Sequence, residues 1–211
     1  MRDWPATLPL FPLPNVVLFP KMALPLHVFE PRYRQMTSEA WNTHRTIGMT
    51  LLRPGWESDY HGRPAVYAIG CAGRIEQCEV LPDGRYNIVL RGLSRFRILE
   101  EHAGEPYRVA RVEALVDSAD ASAARLGELR RRLHAAIGRA ADGPAVLVMQ
   151  PELSDEVFVN ALGQSMDLTP VERQSLLDCD SIQQRYERLL EILDFKALEF
   201  TYGRPGADKV H

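Results

Sequence analysis

Side chains that could act as nucleophiles, general bases or metal ligands are scattered along this chain. Three cysteines stand at positions 71, 78 and 179, and six histidines at 27, 44, 61, 102, 134 and 211. The sequence has no Cys-x-x-Cys, His-Glu-x-x-His, phosphate-binding Gly-x-x-x-x-Gly-Lys-Ser/Thr, Gly-x-Gly-x-x-Gly or Gly-x-Ser-x-Gly motif. We therefore predict no catalytic residue, no metal site and no cofactor.

The individual residues of these types favour structural roles. Cys71 and Cys78 are seven residues apart, an odd separation that puts them on opposite faces of a regular strand. We interpret them as partly buried structural cysteines rather than as a metal site. His27 lies in the apolar stretch Pro25-Leu26-His27-Val28-Phe29. A single histidine in such a strand is more often a hydrogen-bonded structural residue than a base or a ligand.

Glu30 and Arg32 flank Pro31, and this charged pair could face a ligand. We favour a structural interpretation, in which Glu30 complements the dipole at a helix N-terminus and Arg32 ties that helix to a sheet. Phe29 and Tyr33 are then expected in the core, four residues apart around the start of the helix.

The aromatic residues that we most expect at the surface are Trp56 and Tyr60, in the polar loop of residues 53–62. Aromatic side chains on loops are common anchors of binding surfaces, so both are candidate peptide-binding residues. The alternative for Trp56 is that it covers the open end of a small barrel.

The composition is that of an ordinary globular protein. Of the 211 residues 45% are hydrophobic and 25% are charged, and the formal net charge is −3. This charge argues against a nucleic-acid partner, because such partners require a basic surface. No stretch of about 18 apolar residues and no basic-then-apolar leader is present, so we expect a cytoplasmic chain without a membrane span. The odd number of cysteines fits that compartment.

Residues 1–117 are expected to form a β-rich domain. Prolines divide the first thirty residues into short apolar pieces, which predicts short strands with bends at the prolines. Further strands are predicted over residues 65–80, 86–90, 94–99 and 108–115. Asp83-Gly84 predicts a hairpin turn, and Gly70 and Gly73 indicate bulges or bends of a small barrel or folded sheet.

One helix inside this β-rich part is predicted from Pro31 to about Trp41. The periodicity becomes helical after residue 117, so residues 118–203 are expected to form a helical domain, followed by a flexible tail at 204–211. An apolar stripe of the first of these helices is formed by Leu126, Leu129, Leu133 and Ile137. Asp142-Gly143-Pro144 should end that helix, and capping boxes at residues 169–172 and 181–184 should start two more.

The combination of motifs resembles the N-terminal domain of the Lon ATP-dependent protease, in particular its stand-alone bacterial version, which carries Phe-Glu-Pro-Arg-Tyr. The first matches are Leu8-Pro9-Leu10-Phe11-Pro12, Val17-Leu18-Phe19-Pro20, Leu24-Pro25-Leu26 and Phe29-Glu30-Pro31-Arg32-Tyr33. The later matches are Ile69-Gly70-Cys71, Asp83-Gly84-Arg85, Gly92-Leu93-Ser94-Arg95-Phe96-Arg97-Ile98 and Pro106-Tyr107. The helical part is also similar, so the resemblance covers nearly the whole chain.

The resemblance implies an α+β fold, in which a small PUA-like β-barrel or folded sheet is followed by a helical bundle. It implies a part in substrate recognition rather than in chemistry, because no ATPase or Ser–Lys protease motif is present. The residues that we assign to the structural motif are Pro25, Phe29, Glu30, Pro31, Arg32, Tyr33, Gly70, Gly92, Arg95 and Phe96.

We therefore expect a non-catalytic module that binds unfolded or exposed protein segments, as an adaptor or a holdase. A nucleic-acid-binding module, suggested by the PUA-like architecture, is the alternative, and an enzyme with a cleft between the two domains ranks last. A contiguous exposed apolar patch would favour the first of these hypotheses.

Overall fold

The computed structural model describes residues 4–59, 62–102, 106–118, 121–139 and 152–202. Within these residues the fold is α+β, with one six-stranded mixed sheet and five α-helices. The strands are β1 Thr7–Leu13, β2 Ala23–Val28, β3 Thr46–Leu51, β4 Ile69–Val80, β5 Tyr86–His102 and β6 Arg108–Ala114. The helices are α1 Pro31–Asn42, α2 Ala123–Arg139, α3 Asp155–Ser165, α4 Pro170–Leu177 and α5 Ile182–Tyr202. The predicted α+β class, with a sheet followed by helices, is confirmed.

The sheet curls back on itself because β5 is long enough to pair with three strands. The strand order is β2-β5-β4-β3-β1-β6, and β6 also pairs with the second half of β5. Only β1 and β3 are parallel among the described pairs. The β4–β5 register shifts twice, at Leu93 of β5 and at Glu76 of β4, and such bulges bend the two long strands.

The prediction of two separate strands at residues 86–90 and 94–99 is wrong, since both belong to β5. Gly92 stands between them, but it does not interrupt the strand. A Cβ atom on Gly92 would lie 2.0 Å from the carbonyl oxygen of Phe19. The backbone N–H of Gly92 donates to the Met22 carbonyl and its own carbonyl accepts from Lys21, each at 2.8 Å. The glycine therefore lets another chain segment lie directly against the strand.

The sequence predicts bends at the prolines near the start of the chain. Three of these prolines instead lie inside strands. Pro9 and Pro12 lie inside β1, and Pro25 lies inside β2. Pro9 pairs only with β6 and Pro12 only with β3, because the two partners of β1 cover different halves of it. Each proline therefore has one side that needs no N–H donor, which is the condition under which proline is tolerated in a sheet.

The helix starts follow local signals. Pro31 is the first residue of α1 after the extended N-cap Glu30, as predicted. The capping box of α4 is complete, with both reciprocal bonds between Thr169 and Glu172. At the start of α5, Gln184 bonds back to the N–H of Asp180 rather than that of Ser181, so the second predicted box is only half formed. Asp142-Gly143-Pro144 lies outside the described residues.

The main apolar cluster contains side chains from both the sheet and the helices. Phe19, Leu90 and Ile75 from the β-rich part belong to the same cluster as Phe158 and Leu189 from the helices. The predicted α2 stripe contributes to it, with Leu129, Leu133 and Ile137 buried and Leu126 partly buried. A smaller cluster, made of Trp4, Leu8, Leu10, Ala72, Phe96, Ala110 and Val112, fills another part of the folded sheet. In the described part of the chain, no helix has both the length and the apolar character needed to cross a bilayer.

Candidate functional site

A groove of about 520 Å³ crosses the neighbouring strands β2, β5 and β4. It is lined by residues 25–27 of β2, 77–79 of β4 and 87–89 of β5. We call it the β2–β5–β4 groove. The strand pairing sets its composition, because residues opposite each other form rows across the three strands. One row joins Pro25, Val89 and Gln77, and the next joins His27, Asn87 and Glu79.

The second row is a chain of hydrogen bonds between exposed polar side chains. His27 Nδ1 lies 2.8 Å from Asn87 Oδ1, and Asn87 Nδ2 donates to Glu79 Oε2 at 2.8 Å. Arg85 Nη1 approaches His27 Nε2 at 3.3 Å. Since a guanidinium can only donate, Nε2 accepts and the Nδ1–H donates to Asn87. The preference for a hydrogen-bonded structural role of His27 agrees with this arrangement.

Arg85 is itself held by its neighbour in the β4–β5 turn. It pairs with Asp83 at 2.5 Å, and these hydrogen bonds lower the pKa of Asp83 to about 2. Gly84 between them has φ of +78°, which is the conformation expected of an Asp-Gly turn. The predicted hairpin is therefore formed, and it fixes the charged end of the groove.

Phe29 stands beside this row at the surface, with 59% of its area exposed. Its ring stacks on His27, with 6.2 Å between the centroids. The prediction that Phe29 is a core residue is wrong. Val28 takes the inward position at the end of β2 and is buried, so the next side chain points outward. Tyr33 is in the core as predicted, with its ring 4.5 Å from that of Phe11.

A second exposed apolar side chain lies at the same end of the three strands. Val80 is 64% exposed, and it ends the row that joins Val28, Tyr86 and Val80. By strand alternation Val80 shares the face of Val28 rather than that of His27, so of these two exposed side chains only Phe29 adjoins the groove. Exposed apolar side chains that adjoin a groove are typical of binding surfaces.

The groove has little capacity for catalysis. Both ring nitrogens of His27 are engaged, and burial raises the pKa of the Cys78 thiol, which disfavours the reactive thiolate. Among the described residues, no three His, Cys, Asp or Glu side chains come together as a metal site. The arrangement can bind a ligand by apolar contact and hydrogen bonds.

The other predicted site residues lie elsewhere or outside the described chain. Trp56 begins a short 3₁₀ turn, Trp56–Asp59, and is partly buried. It does not line the β2–β5–β4 groove. Tyr60 lies outside the described residues. Glu30 and Arg32 pair with each other at 3.0 Å, and the Arg32 guanidinium lies over the Tyr33 ring.

The remaining residues of the structural motif hold the sheet together. A Cβ on Gly70 would lie 2.4 Å from the Met49 carbonyl oxygen, so the adjacent strand needs a glycine there. Phe96 is fully buried in the smaller apolar cluster. Its neighbour Arg95 is also buried, with 2% exposed, and points to the helices.

Arg95 belongs to a buried polar network that sequence reasoning missed. Its guanidinium donates to Asp117 Oδ1 at 3.0 Å and to the Leu177 carbonyl at 3.1 Å. Arg185 of α5 donates to the same Asp117 oxygen at 3.1 Å and to Asn160 Oδ1 at 2.9 Å. One carboxylate therefore pairs with two buried arginines from distant parts of the chain, and the Asp180 carboxylate lies 3.7 Å from Arg95 as well. No short-range sequence pattern could have indicated this, because the partners are far apart in sequence.

The network extends to the segment that leads into β2. Asn160 donates to the Pro20 carbonyl at 3.0 Å, and Gln164, one turn further along α3, donates to the Ala23 carbonyl at 2.8 Å. The Phe19 N–H donates back to Gln164 at 3.3 Å. The helices thereby position the edge of the β2–β5–β4 groove.

Comparison with known proteins identifies a family. The family model described as ATP-dependent protease La (LON) substrate-binding domain matches residues 7–194. A Lon protease from Cytophaga hutchinsonii is 26% identical over 223 residues, which cover 100% of this chain and 27% of that protein. A Lon protease from Anaeromyxobacter dehalogenans is 30% identical over 92% of this chain and 24% of that protein. The chain spans about a quarter of the length of these curated relatives.

Two solved structures have a similar fold. The crystal structure of a Lon N-terminal domain protein from Xanthomonas campestris superposes with a TM-score of 0.64 at 30% identity, covering 88% of this chain and 97% of that one. The N-terminal domain of Mycobacterium avium complex Lon protease gives a TM-score of 0.69 at 16% identity, covering 89% of this chain and 98% of that one. The second likeness is one of fold alone.

Proposed function

The chain belongs to the family of ATP-dependent protease La (LON) substrate-binding domains, and from this premise we propose that it binds exposed apolar segments of other protein chains in the β2–β5–β4 groove. In this proposal it captures such segments without processing them, as a holdase or as an adaptor. The observation that carries the proposal is Phe29, an aromatic side chain with 59% of its area in solvent beside a groove.

The physical reason is that a bound apolar segment would remove Phe29 from water. Burial of an exposed aromatic ring is worth on the order of 1 kcal/mol or more, at about 25 cal/mol per Å². The His27 ring stacks on one side of Phe29 and leaves the rest of its area available to a partner.

The charges around the groove support a partner chosen for its apolar side chains rather than for its charge. Arg85 pairs with Asp83, Arg91 with Glu76 at 3.2 Å, and Arg32 with Glu30. These three arginines each have an acidic partner, so their positive charge is neutralised locally, and Arg34, beside Gly84, adds one further guanidinium at this end. This supports a polypeptide partner over a nucleic acid, which requires unneutralised positive charge.

The test is binding of a permanently unfolded protein, fluorescein-labelled reduced and carboxymethylated α-lactalbumin, measured by fluorescence anisotropy. We expect Phe29→Ala to weaken binding about five- to tenfold, as the loss of an aromatic contact predicts. Phe195→Ala is a matched control, because Phe195 is 60% exposed but lies on α5. No binding by the unaltered chain, or equal weakening by both variants, would contradict the proposal.

The position of the site is tested in the same samples by alkylation of cysteine. Cys78 lines the groove, whereas Cys179 is near the buried Arg185 and Cys71 is fully buried. A saturating unfolded client should slow iodoacetamide modification of Cys78 and leave the rate at Cys179 unchanged, as followed by mass spectrometry. Because Cys78 also packs against the main apolar cluster, an unchanged rate would contradict only a client that covers Cys78 itself.

Trp56 remains a proposed second contact, because loop aromatics often anchor binding surfaces. Trp56→Ala in the same anisotropy assay tests it. A loss comparable to that of Phe29→Ala would show that the client also reaches the loop before β4, and an unchanged affinity would assign Trp56 to the scaffold.

A further inference from the structure

The open edge of β2 borders the β2–β5–β4 groove. β2 stands at the end of the strand order, and among the described strands it pairs only with β5. Strand edges carry backbone donors and acceptors that can pair with another extended chain. The direction of these groups along β2 decides which of them are available.

Two hydrogen bonds set that direction. The Met22 carbonyl accepts from Gly92 of β5, so this carbonyl points toward β5, while the Met22 N–H closes the preceding turn on Phe19. The Ala23 carbonyl accepts from Gln164 of α3, so the backbone of Ala23 points away from β5. In an antiparallel strand both backbone groups of a residue point to the same side, and successive residues alternate. Pro25 and His27 therefore also present their backbone groups to the outer side.

The sequence of β2 agrees with this alternation. Pro25 has no N–H, and it stands at an outward position where β5 requires none. Gln164 already occupies the outer side at Ala23. What remains is a short stretch, namely the Pro25 carbonyl followed by the N–H and the carbonyl of His27. This stretch lies next to the exposed ring of Phe29.

We propose that the occupant of the site is an extended polypeptide segment that adds to β2 as a further, short strand. The proposal rests on the function proposed above and specifies how the client is held. Pairing with the backbone at Pro25 and His27 requires no particular sequence, and side chains of the added strand that point to the outer face contact Phe29. Backbone pairing combined with contacts to alternate side chains is how strand addition recognises extended chains.

The experiment compares backbone N-methyl isomers of one peptide. The probe is a fluorescein-labelled eight-residue peptide in which valine and threonine alternate, so that one face is apolar. One isomer is N-methylated at the valines and the other at the threonines. Because an added strand donates toward β2 only from alternate residues, one isomer should bind about tenfold more weakly and the other within about twofold of the parent.

The outcomes separate this proposal from the proposed function. Equal affinities of the two isomers, with Phe29→Ala still weakening both, would overturn strand addition and leave apolar capture standing. Absence of binding by the unmethylated peptide while unfolded α-lactalbumin still binds would overturn strand addition alone, and absence of binding by both would overturn both proposals. Selective loss for one isomer supports both.

Two variants of His27 give an independent measurement. His27→Pro removes the outward N–H, whereas His27→Ala keeps it and removes only the ring. Strand addition predicts that His27→Pro binds the parent peptide about tenfold more weakly than His27→Ala does. Equal affinities in variants with the thermal stability of the unaltered chain would contradict it, and if His27→Pro does not fold the isomer comparison decides.

Discussion

At the scale of single residues, Gly92 shows how one missing side chain joins distant segments. The turn around Phe19 and Pro20 lies directly on β5 at this glycine, and Lys21 in that turn has φ of +69°. The two backbone bonds to Gly92 hold the turn that leads into β2. The position of the groove edge therefore depends on a residue that contributes no side chain.

We predict that Gly92→Ala lowers the free energy of unfolding by about 3 kcal/mol, since overpacking against rigid backbone is costly. The new methyl group would lie 2.0 Å from the Phe19 carbonyl oxygen, which is backbone and cannot rotate away. Urea unfolding followed by circular dichroism measures the change.

The control is Gly127→Ala on α2, where the new methyl group would lie 3.9 Å from the Arg131 side chain, an ordinary van der Waals contact. This variant should gain about 0.5–1 kcal/mol from helix propensity. A Gly92→Ala protein as stable as the unaltered chain would show that the turn around Phe19 moves away at little cost.

At the scale of elements, Asp117 links β5 to α5 at the end of the sheet. Arg95 and Arg185 are both buried, and their shared carboxylate is 21% exposed. Arg185 also reaches α3 through Asn160, and α3 contacts the segment entering β2 through Gln164. The helices thus fix the position of the groove edge through a series of hydrogen bonds that begins at the buried arginines and ends at Ala23.

We predict that Asp117→Asn lowers the free energy of unfolding by about 3 kcal/mol, because it removes the carboxylate paired with buried Arg185 and leaves buried Arg95 with the exposed Asp180 carboxylate at 3.7 Å. Chemical denaturation at neutral pH measures this loss. Glu191→Gln serves as the matched control, since it removes the carboxylate of the exposed pair Arg188–Glu191. Exposed pairs contribute less than about 1 kcal/mol, so equal effects of the two variants would contradict a structural role of Asp117.

At the scale of the whole molecule, the sheet and the helices share one apolar cluster. Phe19 of the β2 approach and Phe158 of α3 both belong to it, together with Leu90 of β5 and Leu189 of α5. The sequence division at residue 117 falls between β6 and α2. The shared cluster and the network around Asp117 argue that the two parts stabilise each other.

We predict a single cooperative unfolding transition. All three tryptophans, at positions 4, 41 and 56, lie in the β-rich part, so their fluorescence reports on the sheet. Circular dichroism at 222 nm reports mainly on the helices. The two midpoints in urea should coincide, as in two-state unfolding. Midpoints separated by more than experimental error would show that the parts unfold as independent domains.

The family and the local elements could be derived from the sequence, because their signals act over a few residues. Pro31 after an extended residue starts α1, Asp83-Gly84 makes the hairpin, and Thr169 with Glu172 caps α4. The stripe of α2 at Leu129 and Leu133 is buried as its spacing predicts. Each of these features follows from backbone geometry or helical periodicity alone.

The site depended on the tertiary structure, because its parts come from segments that are distant in sequence. The sequence predicts Phe29 in the core, whereas the pairing of β2 with β5 directs Val28 inward and leaves Phe29 in solvent. Asp117 and Arg185 meet across 68 residues, and Gln164 reaches Ala23 across 141. Sequence patterns determine which short elements form, whereas only their packing decides which backbone edge and which aromatic ring remain available to a partner.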